Sequence, residues 1–311
     1  MSTRRKVLLA VPIVVLVYAG LSALMTVAFD RWSTSHGLLV QDRETLWRPR
    51  PGFVGPPGFI WDGDSSLTPV TIDEQGFRTA GTRASALAPS EIVLAIGDSF
   101  TFGWDVADGD SYPAQLQALL DQRAPGRFTV INGGMPGCTS FQAKQLLRRW
   151  LPRYRPAVVV AMLGRNDGRK QPLSDSEVQA ILRWKPDLLN YVFPFMLLHY
   201  RGVQGVAQMR GNSRVQRVSN EEFRHNIQTI VELTRSAGAR LILMEHWKRN
   251  PAFRLARLAA DRGVAYIDTP ALVAPAARGG RELFIRTHHH PNRDGYAVIA
   301  GALADEILSD R

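Results

Sequence analysis

The chain contains a single cysteine, Cys138, among 311 residues, which excludes an internal disulfide and any cysteine-based metal site. It is also short of acid, with 28 Asp and Glu against 38 Lys and Arg and a formal net charge of +10. Such a balance suits nucleic acid, but the arginines are scattered and no recognition motif accompanies them, so no nucleic-acid partner is expected. A basic surface beside an anionic membrane or an acidic polymer explains the charge as well. Charge is missing altogether from Val7 to Phe29, directly after Arg4-Arg5-Lys6. About 20 apolar helical residues cross a bilayer, whereas cleavable signal peptides have cores of about 7–15 residues and a small-residue cleavage site. Thr26-Val27-Ala28 offers such a site only loosely. The run therefore reads as an uncleaved transmembrane helix. The preceding basic cluster leaves the amino end in the cytoplasm and everything after Asp30 outside, periplasmic or extracellular.

What is present beyond the span divides in two. Residues 31–90 are rich in Pro, Gly and polar residues, with Arg48-Pro49-Arg50-Pro51-Gly52 and Gly55-Pro56-Pro57-Gly58 as breakers. They read as a spacer with short strands at most, among them an edge strand from Val70 to Asp73. From Glu91 onward, β-branched runs alternate with amphipathic stretches, the pattern of a parallel sheet covered by helices. At 45% hydrophobic residues the chain can bury one large core. Strands are expected at Ile92–Ile96, Phe128–Ile131, Ala157–Leu163, Arg240–Met244 and Ala265–Ile267. Helices are expected at Ser111–Gln122, Ser140–Trp150, Asn220–Ser236, Pro251–Arg262 and Asp294–Leu308, with Ser219 and Glu222 forming a capping box. Residues 169–218 are too long for an ordinary connection and read as a helical insertion. Its apolar middle, Leu188 to Tyr200, suits a cap on the core, a lid or acyl pocket, or a membrane contact.

Four short segments carry the chemistry. Ser99 follows the first expected strand, where Gly97 lets the backbone turn at the carboxyl edge of the sheet, the edge at which open parallel sheets bind ligands. Gly97-Asp98-Ser99-Phe100-Thr101-Phe102-Gly103, Asn132 to Gly137, Gly164-Arg165-Asn166-Asp167, and His290-Pro291-Asn292 with Gly295-Tyr296 resemble, in order, the four blocks of the SGNH/GDSL hydrolase superfamily. The resemblance covers roughly Glu91 to the C-terminus. It implies a three-layer α/β/α fold with a flavodoxin-like parallel five-stranded sheet, and a serine esterase that needs no cofactor.

That resemblance implies Ser99 as nucleophile and His290 as base. The oxyanion donors would be the backbone amides of Ser99 and Gly137 and the side-chain amide of Asn166. Donors aimed at the charge that develops on the carbonyl oxygen are each worth about 2.7–4 kcal/mol. Without the other blocks, Ser99 would read as a helix cap, Gly137 as a turn, and Asn166 as an Asx turn. His288, His289 and His290 are adjacent, so their side chains cannot easily converge on one ion, and no metal is expected.

The pattern departs from the family at one point. The last block ordinarily reads Asp-x-x-His, and the corresponding position here is Thr287, with no carboxylate between Glu282 and Asp294. A Ser-His dyad oriented by the Thr287 hydroxyl or a backbone carbonyl is expected; Asp268 or Glu282 acting from a distance, or loss of activity, are the alternatives. The functions that follow are hydrolysis of acetyl or other short O-acyl esters on a glycan or lipid, O-acyl transfer to an envelope or exported polysaccharide, and a catalytically inactive glycan-binding or scaffold protein.

Overall fold

The computed structural model describes residues 16–18, 20–21, 37–57, 67–79, 90–184, 214–246, 253, 255–286 and 289–309. Its first strands belong to the amino-terminal segment. β1 (Leu39–Asp42) and β2 (Leu46–Pro49) form an antiparallel hairpin, and β3 (Val54–Gly55) pairs antiparallel with β4 (Val70–Thr71). The expected edge strand at 70–73 thus pairs within its own segment rather than with the main sheet. The link to the main sheet is a bridge between Arg78 and Asn132.

The main sheet consists of β5 (Glu91–Gly97), β6 (Phe128–Gly134), β7 (Val158–Leu163), β10 (Arg240–Glu245) and β11 (Ala265–Ile267), all parallel, in the order β6-β5-β7-β10-β11. All five fall where the β-branched runs place them. Side chains alternate between faces along each strand. Leu94, Ile96, Val159, Ala161, Leu163, Leu241 and Leu243 pack on one face with helices Ser140–Tyr154, Asn220–Ser236 and Leu255–Ala260. Val93, Ala95, Val158, Val160, Met162, Ile242 and Met244 pack on the other with helices Tyr112–Arg123 and Arg293–Ser309. Each fully buried aliphatic side chain contributes about 1.5–3 kcal/mol, so this double-sided burial is what fixes the three layers.

Chain order along the sheet is second, first, third, fourth, fifth. The strand direction of travel therefore reverses between β5 and β7, and open sheets bind ligands in the crevice outside the carboxyl ends at that point. The loops after β5 and β7 carry Ser99 and Asn166.

Two helix starts differ in detail from expectation. Ser219 does accept from the Glu222 amide at 3.1 Å, while the reciprocal two-way capping box is made by the Thr139–Gln142 pair that opens helix Ser140–Tyr154. Helix Leu255–Ala260 occupies the middle of the expected 251–262 stretch. The ends of the 169–218 segment are tied by β8 (Lys170–Gln171) and β9 (Val215–Gln216), an antiparallel pair, and it contains helix Asp175–Trp184; its apolar middle lies outside the described residues. So does most of the expected membrane span. Residues 16–18, 20 and 21 are helical, with Leu16, Val17, Tyr18 and Leu21 exposed, and among the described residues no helix is long and apolar enough to cross a membrane.

Candidate active site

β5 ends at Gly97, where a Cβ would collide with the Thr101 hydroxyl and sit 2.8 Å from the Met162 carbonyl oxygen of β7. Only glycine lets the strand lie this close to its neighbour and turn at once. Asp98 then caps helix Ser99–Phe102, its Oδ1 accepting from the Phe100 amide at 3.0 Å. Ser99 is the first helical residue, so its own N–H has no intrahelical acceptor. Gly103, at φ 88°, ends the helix after one turn.

His290 arrives from the far end of the chain and places Nε2 at 2.8 Å from Ser99 Oγ. Its loop is a tight hairpin. Phe284 bridges Pro291, the Ile285 amide donates to the His290 carbonyl at 2.8 Å, and the Asn292 amide donates to the Leu283 carbonyl at 3.0 Å. Asn292 then caps the last helix, accepting from Gly295 at 3.0 Å. The imidazole packs on the Phe100 ring at 5.1 Å between centroids, so the residue after Ser99 also supports His290.

Gly137 lies in the turn Met135-Pro136-Gly137-Cys138, closed by the Cys138 amide on the Met135 carbonyl at 2.9 Å. With proline second and φ 77° at Gly137, this is a type II turn, whose third residue must take the left-handed conformation that glycine adopts without penalty. The turn is registered to the end of β5 just before Ser99, because the Met135 amide donates to the Gly97 carbonyl at 2.9 Å.

Asn166 joins the two. Its Nδ2 donates to Asp98 Oδ2 at 2.9 Å and to the Cys138 carbonyl at 3.1 Å, bridging the residue before Ser99 to the residue after Gly137. Asp167, beside it, is buried and accepts from the amide and hydroxyl of Ser140 at 2.9 and 2.5 Å. Burial raises the Asp98 carboxyl to about 7 and that of Asp167 to about 6, since a low-polarity surrounding disfavours the charged form.

The four expected residues therefore stand on one contiguous network. Of the expected orienters of His290, Glu282 and Asp268 are described. Glu282 directs its carboxylate to Arg286 at 2.5 Å on the surface. Asp268 caps helix Thr269–Arg278 through the Ala271 amide at 3.1 Å, and Thr287 lies outside the described residues.

Several neighbours were not singled out from the sequence. His246, just after β10, is buried with Nε2 3.8 Å from Asp98 Oδ2 and its ring 4.0 Å from that of Phe100. Trp47, from β2, donates through Nε1 to the Pro136 carbonyl at 3.1 Å. Arg217 donates to the Gly137 carbonyl at 2.6 Å and forks onto Asp175 at 2.8 and 2.9 Å. Asp98 lay inside a recognised block; Trp47 and Arg217 stand far from any block and carry no spacing signal.

Comparison with known proteins fits this geometry. Residues 95–298 match the GDSL-like Lipase/Acylhydrolase family, and the chain belongs to that family. Over 86 residues, 27% of this chain, it is 35% identical to an arylesterase of Vibrio mimicus, covering 42% of that protein. Over 81 residues, 26% of this chain, it is 31% identical to thioesterase 1/protease 1/lysophospholipase L1 of Escherichia coli strain K12, covering 37% of it. The alignments thus span less than half of either relative. Among solved structures, a psychrotrophic esterase from Pseudoalteromonas sp. aligns at 17% identity and TM-score 0.47 over 71% of this chain and 98% of that one. At that level the family match and the sheet order, rather than the neighbour, carry the fold assignment.

Proposed function

We propose that this chain is a serine esterase that hydrolyses short O-acyl esters through an acyl-Ser99 intermediate. The observation that carries the reading is the 2.8 Å contact between Ser99 Oγ and His290 Nε2 at the reversal point of the sheet. In the first half-reaction Ser99 Oγ attacks the ester carbonyl while His290 Nε2 accepts its proton. The tetrahedral oxyanion is met by the N–H groups of Ser99 and Gly137 and by Asn166 Nδ2. Collapse breaks the ester C–O bond, and His290 returns the proton to the departing alkoxide. Water then attacks the acyl-serine, His290 takes one of its protons, and the second collapse frees the acid and restores the Ser99 hydroxyl.

Asn166 enters this cycle already bonded to Asp98 and to the Cys138 carbonyl. Turning one N–H toward an oxyanion exchanges the neutral Cys138 carbonyl for a charged acceptor, and charge-assisted bonds are roughly twice as strong. The family relationship and the relatives named arylesterase and thioesterase support ester cleavage. A short acyl group and an acylated glycan as substrate are our narrower reading. The uncharged run from Val7 to Phe29 supports a tether that holds residues 91–311 outside the cytoplasm.

The test is an acyl-length series of aryl esters on the wild type and Ser99→Ala. Wild type should favour the shortest chains and Ser99→Ala should retain no turnover above background; Ser99-independent hydrolysis, or none at any length, sinks the proposal. Supplying an acceptor glycan and finding more acylated glycan than free acid would reassign the chemistry as transfer. Release from membranes by carbonate washing would remove the tether.

A further inference from the structure

We infer that Trp47, in the amino-terminal hairpin, is a positioning residue for the oxyanion hole, holding the Pro136–Gly137 peptide with its N–H toward the Ser99 side. This rests on the esterase reading above. The N–H of Gly137 and the C=O of Pro136 belong to one planar trans peptide and point in opposite directions. The indole Nε1–H of Trp47 donates to that carbonyl at 3.1 Å. Fixing the oxygen from behind therefore fixes the direction of the N–H in front.

This peptide is the one most in need of such a hold. It is the central unit of the type II turn at Met135–Cys138, and type I and type II turns differ by a flip of that unit through about 180°. A flip would turn the Gly137 N–H away and present a carbonyl oxygen, which repels an oxyanion. Among the described residues no acceptor takes the Gly137 N–H, so the turn has no hydrogen bond on that side to oppose the flip. The Trp47 bond opposes it from the other side. Accepting at the carbonyl also polarises the amide and strengthens its N–H as a donor.

Trp47 is itself held. The Arg217 guanidinium lies over its ring, 5.0 Å from the centroid, while donating to the Gly137 carbonyl at 2.6 Å and pairing with Asp175, both side chains 2% exposed. Thus the carbonyls on both sides of Gly137 are gripped from the rear. A Cβ on Gly137 would stand 3.4 Å from Trp47 Cζ2, so the ring also walls the glycine. The hairpin is fastened to helix Ser140–Tyr154 by Gln142 Nε2 on the Thr45 carbonyl at 2.6 Å, and by Arg149 on Asp42 at 3.0 and 3.1 Å. β1 and β2 lie outside the stretch 95–298 that matches the family. The hole is therefore supported from outside the matched stretch.

The experiment compares full-length wild type, Trp47→Phe, and a variant carrying benzothienylalanine at position 47, which keeps the bicyclic shape and replaces the N–H by sulfur. Both variants should lose roughly 10- to 100-fold in kcat, less than complete removal of a donor, with KM within twofold. Inhibition by an alkylboronic acid, whose anionic tetrahedral adduct on Ser99 occupies the oxyanion hole, should weaken by the same factor. A purely structural role for Trp47 would lower melting temperature without that matched loss. If Trp47→Phe does not fold, the near-isosteric benzothienyl variant decides. Wild-type kcat and boronate affinity in the benzothienyl variant would overturn the assignment while leaving the esterase reading intact. Absence of Ser99-dependent turnover in the wild type would overturn both.

Discussion

The proposed donors and the proposed base reach the same point by different means. Asn166, Asp98 and the Gly137 turn sit among buried groups, tied to one another through the Asn166 side chain, and Asp167 beside it is bonded to Ser140. His290 stands on a hairpin whose flanking Glu282, Arg286 and His289 are exposed, and backbone bonds within 283–292 and the Phe100 ring are among its anchors. An oxyanion hole works by being organised before charge develops, so it benefits from a dry, over-determined setting. A base that must accept and release a proton twice per cycle needs reach more than rigidity.

Substitutions on the two sides sharpen that contrast. His290→Ala should have the largest effect, lowering kcat by roughly 10⁴-fold or more in steady-state assays; a loss under tenfold would move the base elsewhere. On the donor side Asn166→Ala should cost about 10²–10³-fold in kcat, or 2.7–4 kcal/mol, with KM little changed.

Arg217→Met tests the support behind the donors. It leaves the Asp175 carboxylate buried without its ion partner, which costs about 3–5 kcal/mol in global stability by chemical denaturation. At the small end, Glu282→Gln removes an exposed, solvent-screened pair with Arg286. Its kcat should stay within twofold; a large drop would make Glu282 the remote orienter of His290.

The two buried carboxyls add a pH signature. Folded-state values raised to about 7 and about 6 mean that, above the ordinary value of 3.8, the native state holds protons the unfolded chain has released. The stability these two groups contribute is fully present below that ordinary value and is lost as pH rises through about 6 and about 7, the slope being negative wherever the native state binds more protons. Melting temperature against pH should show this fall, and Asp98→Asn should flatten its upper part. An unchanged slope in that variant would assign the effect to other groups.

The parallel core was readable because each strand is a short β-branched run bounded by breakers and each helix carries an apolar stripe; β7 and helix Asn220–Ser236 match within a residue at each end. The site was readable for a different reason. Ser99, Gly137, Asn166 and His290 must each follow a strand or open a helix, so their chemistry leaves a trace in local sequence. The amino-terminal segment has no such trace. Its strands are two to four residues long, below the length at which alternation is visible, and their role comes from contacts across large sequence separations. Trp47 meets Pro136 at a distance of 89 residues and Arg217 meets Gly137 at 80. The orientation of His290 was unreadable because the one residue type that signals it, an aspartate at position 287, is replaced by threonine.

Arg78 carries a consequence for how the molecule comes apart. Its buried guanidinium donates to the carbonyls of Phe102, Gly103 and Val106 and pairs with Asp108 at 2.9 Å, while its backbone bridges Asn132. Pulling the amino-terminal segment away would strand the Gly103 and Val106 carbonyls and the Asp108 carboxylate just beyond helix Ser99–Phe102, and leave the Phe102 carbonyl with Asn132 Nδ2 alone. The segment therefore cannot melt ahead of the sheet at little cost. Heating should give one cooperative transition for both, and a shortened chain beginning at Ser90 would be a damaged protein rather than a minimal one.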